Sequence, residues 1–187
     1  MKDNAVIIYP DGGIGSQIAF FTLGLAFEEK GYEVKYDLSW FEKHGTGFYN
    51  ADNGYNDAYD ITWDIPKAFP DLPYKVATKE ESRRYRENYF IDDDNVIDKT
   101  PPLYIGGYKG RHHTYRFREV LKKHFTPTGL GQKAKMILDE IKNNNSCVIH
   151  IRRGDLSNEH IAYGIPPQIQ YFTQSIKLIE SINGGGG

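Results

Sequence analysis

The sequence has a single cysteine, Cys147, in 187 residues. That excludes a disulfide framework within the chain and suits a reducing compartment. Its neighbours Val148 and Ile149 predict a thiol packed in a strand rather than a nucleophile. Long apolar runs are missing, so no segment reads as a helix that crosses a bilayer. Ala5–Tyr9 is too short for the apolar core of a signal peptide and is followed by Pro10 and Asp11. An excess of one charge is missing as well. The formal net charge is -2, from 23 Lys and Arg against 25 Asp and Glu. No broad positive field is available for nucleic acid, so any anion site must be built locally.

What is present is enough for a folded protein. Apolar residues make up 39% and charged residues 26%, which supports a packed core. The 14 tyrosines and 10 phenylalanines are a heavy aromatic load, suited to a core and to surfaces that stack on sugars. The length suits one domain, or one domain and part of a second.

The opening reads as a βαβ unit. "AVIIY" at 5–9 predicts a short buried strand, "DGGIGSQ" at 11–17 a glycine loop, and 16–30 a helix. In that helix Ile18, Phe21 and Leu25 share one face, and Gly31 is its C-cap. "YEVKYDL" at 32–38 alternates as a second strand, parallel to the first. Residues 44–65 read as a long polar, aromatic loop, and "LYIGGY" at 103–108 as another strand. Helices are predicted from Tyr115 to His124 and from Gln132 to Lys142. A strand then carries "CVIHIRRGD" at 147–155, and a last helix places Ile169, Phe172, Ile176 and Ile179 on one face. The fold class is α/β.

Two loops carry candidate chemistry. In "DGGIGSQ" the glycines let backbone amides approach a ligand at a helix N-terminus, where negative groups are favoured. Gly-Lys-Ser/Thr is missing, so the loop is not a P-loop. Two of the three glycines of a dinucleotide fingerprint are present, the third position being Ile18. Asp37 lies about 20 residues on, where such a protein places its ribose-binding acid. A tight strand-to-helix turn explains the same glycines. In "HIRRGD", His150 and Arg152 share one side of the extended segment. Two adjacent guanidinium groups at the end of a strand suit a phosphate, which one of them can bind bidentately. A surface Arg–Asp ion pair is the plain alternative. His112-His113 reads as a solvated loop rather than a metal site, "DDD" at 92–94 as a solvated turn, and Trp40 and Trp63 as groove or core residues.

Taken in order, "GGIGSQ", "YDLSWF" (36–41), "GGYKG" (106–110), "HIRRGD" (150–155) and "YGIPPQIQYFTQSI" (163–176) resemble the bacterial α-1,2-fucosyltransferases of glycosyltransferase family 11. The resemblance implies a GT-B-like fold of two facing α/β domains. It also implies transfer of L-fucose from GDP-fucose to the 2-hydroxyl of a galactose with inversion and without a required metal. His150, Arg152, Arg153 and Asp155 would bind the GDP moiety. Gly13, Gly15, Ser16 and Gln17 would face it across the cleft. The family usually has asparagine where this chain has Ser16, a shorter hydrogen-bonding side chain.

The expected organisation is an acceptor-side α/β domain at 1–128, a linking helix and the start of a donor-binding domain at 129–183, and a glycine tail at 184–187. Two full domains would need roughly 250–300 residues, so the chain is expected to stop before the second is complete. The expected partners are GDP-fucose and a galactose-containing glycan acceptor, lipid-linked or free, with no nucleic acid and no metal. Self-association through the last helix is the further expectation. The location is expected to be the cytoplasm or the inner face of the membrane. Asp11, Asp37 and His44 are all eligible as general base. The alternatives are a catalytically incompetent nucleotide- or glycan-binding fragment of such an enzyme, and a Rossmann dehydrogenase fragment.

Overall fold

Four strands form a parallel sheet whose spatial order is not their chain order. They are β1 (Ala5–Tyr9), β2 (Glu33–Tyr36), β3 (Tyr89–Phe90) and β4 (Leu103–Gly106), arranged β2-β1-β4-β3. The computed structural model describes residues 4–46, 60–86, 89–90, 95–107, 110–126, 130–150 and 169–182. These divide between two units, one within Met1–Phe48 and Tyr59–Leu130, the other within Tyr49–Ala58 and Gly131–Gly187.

In the first unit the βαβ opening forms as the sequence predicts. β1 pairs in parallel with β2, Ala5 opposite Glu33 and Ile8 opposite Tyr36. Helix α1 (Ile14–Glu29) makes the crossover. It ends in a Schellman motif: the Gly31 amide donates to the Glu28 carbonyl and the Tyr32 amide to that of Phe27. Gly31 adopts φ 82°, and the Tyr32 and Phe27 rings meet at 6.1 Å, the apolar contact that accompanies this ending.

β1 is a nearly continuous apolar run because both faces of the sheet are covered. Val6, Ile8, Leu103 and Ile105 pack on one side with Phe20, Leu23 and Phe27 of α1. Ala5, Ile7 and Tyr104 pack on the other with Tyr85, the last residue of α3 (Lys79–Tyr85). Burial of α1 is wider than the predicted stripe. Phe20, Leu23 and Phe27 are fully buried, whereas Ile18 and Leu25 are half-buried. The helix is enclosed by the sheet, by α2 (Ile65–Ala68) and by α4 (His112–Arg116), so more than one face is apolar. Each fully buried phenylalanine stabilises the fold by about 1.5–3 kcal/mol.

Three local expectations are corrected. The single helix predicted from Tyr115 to His124 is two helices, α4 and α5 (Arg118–His124), broken at Phe117. Phe117 turns out of helical geometry at φ -91°, ψ 11°, and the break buries both Phe117 and Leu121. His113 lies buried on α4 rather than in a solvated loop. Residues 145–150 are exposed and form no strand, so Cys147 is a solvent-facing thiol rather than a packed one. A strand needs a neighbour to take its amides and carbonyls, and no described strand pairs with 147–150.

In the second unit α6 (Gln132–Asn143) and α7 (Ile169–Ile182) form close to their predicted positions. Most of their apolar residues, among them Met136, Ile169 and Leu178, are exposed, and Leu138 and Phe172 are half-buried. Among the described residues no helix is long and apolar enough to cross a membrane. "DDD" at 92–94, most of 44–65 and the tail 184–187 lie outside the described residues.

Candidate functional site

Parallel strands deliver their C-terminal ends to one edge, and loops at that edge form ligand crevices where the strand order reverses. Here the reversal falls between β1 and β4. Tyr9 is opposite Gly106 in the register, so the loop after β1 and the Gly106-Gly107 turn leave the sheet side by side. β2 ends at the same edge, with the Asp37 amide donating to the Ile8 carbonyl at 2.8 Å. The fold thus brings together the "GGIGSQ" loop, Asp37 and the start of "GGYKG", three segments far apart in the chain.

The first loop combines bare backbone with one carboxylate. Gly12 has φ 68°, a conformation that glycine takes without strain. Gly13 is the N-cap of α1, and around both Gly13 and Gly15 the space that a Cβ would enter is open. A ligand can therefore approach this backbone closely at the start of a 16-residue helix. Ser16 donates its Oγ hydrogen to Asp11 Oδ1 at 3.2 Å. Asp11 is half-buried, and its Oδ2 takes no hydrogen bond among the described residues.

Gln17 is fully buried and turned inward. Its Nε2 donates to the carbonyls of Gly12 at 2.9 Å and Thr62 at 2.7 Å, and its Oε1 accepts from the Asp64 amide at 2.7 Å. Its amide therefore ties the glycine loop to the segment that leads into α2.

Asp37 sits on the sheet face opposite α1. It is 4% exposed. Its Oδ1 accepts from the Ser39 amide at 3.0 Å and its Oδ2 from the Tyr104 hydroxyl at 2.8 Å, with Arg86 Nη2 at 3.5 Å. Burial works to raise the carboxyl's pKa, but hydrogen bonds from Ser39, Tyr104 and Ser82 outweigh it and hold the pKa below its ordinary value. The Tyr104 phenol is pushed well up, by burial first and then by its bond to Asp37. The Arg86 guanidinium lies over the rings of Tyr9 at 5.8 Å and Tyr104 at 5.6 Å. Asp37 is thus a saturated, ionised carboxylate, a poor base for an incoming hydroxyl. His44 is exposed beside the Trp40 ring at 5.7 Å. Of the three candidate bases, Asp11 combines a place on the glycine loop with a free oxygen.

Gly13, Gly15, Ser16 and Gln17 all lie in the first unit, at the sheet edge. His150 is exposed at the end of the described stretch 145–150 of the second. Arg152, Arg153 and Asp155 lie outside the described residues. Among the described residues no cluster of three metal-ligating side chains occurs. Burial lowers the His113 pKa to about 4, with the charges of His112, Arg116 and Lys30 acting in the same direction. Trp63 packs in an aromatic core with Tyr36 at 5.4 Å and Tyr74 at 6.0 Å.

Sequence reasoning passed over Arg86 and Tyr104. A signal for α3 was present: Thr78-Lys-Glu-Glu81 is a capping box, with the Thr78 side chain accepting from the Glu81 amide and Glu81 accepting from the Thr78 amide. Reading it would have placed Ser82 on a helix that starts after Thr78; the approach of that helix to Asp37 is a matter of tertiary packing.

The chain is similar to an alpha-1,2-colitosyltransferase of Escherichia coli, 26% identical over 181 residues that cover 90% of this chain and 62% of the relative. It therefore spans somewhat less than two thirds of that protein's length. No family model matches the chain, and no solved structure matches it.

Proposed function

We propose that the chain is part of an inverting glycosyltransferase of the α-1,2-fucosyltransferase type, which moves a deoxyhexose such as L-fucose from a GDP-linked donor to the 2-hydroxyl of a galactose in a glycan. The observation that carries this reading is the coincidence of two independent signals. The similarity to the colitosyltransferase runs along 90% of the chain. The glycine motifs of the fucosyltransferase-like pattern converge at one sheet edge, through the register of Tyr9 with Gly106.

Transfer is a single displacement. The acceptor oxygen attacks the anomeric carbon, the bond to the β-phosphate oxygen breaks on the opposite face, and the hydroxyl proton leaves to a base. Asp11 is the base in this reading. Its Oδ1 is held by Ser16 and its Oδ2 is open, so it is both oriented and able to accept. Charge grows on the leaving β-phosphate. Arg152 and Arg153 are assigned there because a guanidinium fork matches phosphate and stabilises the transition state more than the ground state. The open backbone at Gly13 and Gly15, at the start of α1, leaves room for a negative group to approach the helix N-terminus. No resident metal is assigned, since the two arginines supply the neutralising charge.

The test is transfer itself. The chain, extended to the length of its relative, is incubated with lactose and with GDP-fucose, UDP-galactose or nucleotide-activated colitose, and the released nucleotide is followed. Turnover with the fucosyl or colitosyl donor, dependent on lactose, supports the reading. Preference for UDP-galactose, or binding of NAD in place of GDP, defeats it.

A further inference from the structure

On the sheet face that carries Asp37 lies a cavity of about 440 Å³, separate from the glycine loop. Its walls belong to the first unit alone. Leu38, Val76 and Ala77 give an apolar floor, and Val76 is 53% exposed there. Four cations surround it, Lys43, Lys79, Arg83 and Arg86, against two carboxylates, Asp37 and Glu42. In a chain of formal net charge -2, this is a local reversal of sign.

The cations are arranged by local structure. Lys79 and Arg83 lie one turn apart on α3 and Arg86 is its C-cap, so the i, i+4, i+7 spacing of this short helix and its cap delivers all three to one side. Lys43 comes from the π-helical turn Phe41–Gly45 that follows β2. Arg86 is committed to Asp37 and Tyr104. Among the described residues Lys43, Lys79 and Arg83 have no carboxylate within ion-pair distance. Their charge is therefore available to a ligand. The size suits a mono- or disaccharide. An apolar floor covers the C–H face of a sugar ring, while arginine and lysine at the rim select a negative substituent.

We infer that this cavity binds an acidic sugar, one carrying a carboxylate or a phosphate, as a specificity pocket for the acceptor glycan. The role as an acceptor pocket rests on the glycosyltransferase reading; the binding of an anionic sugar does not. Lys43, Lys79 and Arg83 neutralise the anion, and Val76 and Leu38 pack on the ring. Neutral sugars keep the apolar contact and lose the charge-assisted hydrogen bonds.

Calorimetric titration of the chain with glucuronate, glucose 6-phosphate, glucose and inorganic phosphate tests the inference. At least one charged sugar binds at least tenfold more tightly than glucose, and the stronger of the two identifies the anion as carboxylate or phosphate. Arg83→Ala and Lys43→Ala, both at exposed positions, each remove most of that advantage while circular dichroism is unchanged. Glucose bound as tightly as the charged sugars, inorganic phosphate bound as tightly as either, no binding of either charged sugar, or an advantage that survives both substitutions overturns it. The titration contains no nucleotide. Failure of GDP binding in a separate titration therefore counts against the donor assignment and leaves the pocket untouched.

Discussion

The Tyr104 hydroxyl donates to Asp37 Oδ2 at 2.8 Å, a bond from β4 to the end of β2 that passes over β1. It ties together the three strands whose ends form the candidate site. Tyr104→Phe removes one donor to a charged acceptor, and the expected loss of stability is about 1.5–3 kcal/mol. The Asp37 pKa, held below its ordinary value of 3.8 in the folded chain, moves up in this variant. A carboxyl whose folded pKa is depressed adds stability above its unfolded pKa and loses it as pH falls through the folded value. Tyr104→Phe therefore shortens that acid limb. Urea unfolding at several pH values measures both effects.

Gln17 gives a sharper separation of structure from binding. Its three hydrogen bonds to Gly12, Thr62 and Asp64 are each worth about 1 kcal/mol, and Gln17→Leu leaves buried polar groups without partners. The expected cost is about 3 kcal/mol. Gln17→Glu places a buried charge against two carbonyl oxygens and costs at least as much. Chemical denaturation reads the loss. A variant with native stability and weakened GDP binding would instead give Gln17 a direct ligand role.

Gly24 shows how closely α1 approaches β2. A Cβ there would overlap the Tyr36 hydroxyl and lie 3.0 Å from its Cζ. Gly24→Ala is expected to cost about 1–3 kcal/mol by overpacking, despite the better helix propensity of alanine. The Tyr36 hydroxyl also donates to the Phe21 carbonyl at 3.3 Å, so the clash disturbs a buried bond. Tyr36→Phe in the same chain should recover part of the loss, a coupling that a double-mutant cycle measures.

β1 was readable residue by residue, because a five-residue apolar run between a polar start and a glycine loop admits little else. The parallel βαβ unit followed from chain order. The wider burial of α1 was not readable, since Phe20, Leu23 and Gly24 gain their importance from α2, α4 and Tyr36, which approach from distant parts of the chain. The same holds at the site. Glycines and Asp11 announce themselves locally, whereas the Asp37, Tyr104 and Arg86 cluster joins three elements through space. "CVIH" has strand propensity, yet residues 147–150 stay exposed because propensity does not supply a pairing neighbour.

His113 predicts a distinct response to acid. Its pKa is lowered from 6.5 to about 4, by burial above all. Between those values the unfolded chain binds a proton that the folded chain refuses, so stability falls as pH drops from about 6.5 towards about 4. Asp37 acts in a lower window, below its unfolded value of 3.8. Thermal unfolding midpoints followed from pH 8 to pH 4 should decline in the parent, and the decline should flatten in His113→Gln. An identical decline in both would assign the acid sensitivity to other groups.

The last prediction concerns the arginine pair assigned to the donor. If Arg152 and Arg153 hold the β-phosphate, each alanine substitution removes charge-assisted hydrogen bonds worth about 1.5–3 kcal/mol, and GDP binding weakens by about tenfold or more. Guanosine, which has no phosphate, should bind the parent and the variants alike. Lysine keeps the charge but not the planar fork, so Arg153→Lys should restore only part of the affinity. If the proposed transfer holds, the effect on rate should exceed the effect on binding in a chain extended to the length of the relative, because charge on the leaving phosphate grows towards the transition state; a lost donor at such a position costs about 10²–10³ in rate. Asp11→Asn offers the contrasting signature, since loss of a base lowers turnover and leaves GDP affinity unchanged. Calorimetry with GDP and guanosine, set beside turnover with lactose, separates the two roles. Equal GDP affinity in the parent and both alanine variants would remove the arginines from the donor site and leave the glycine loop as the remaining candidate for the phosphate.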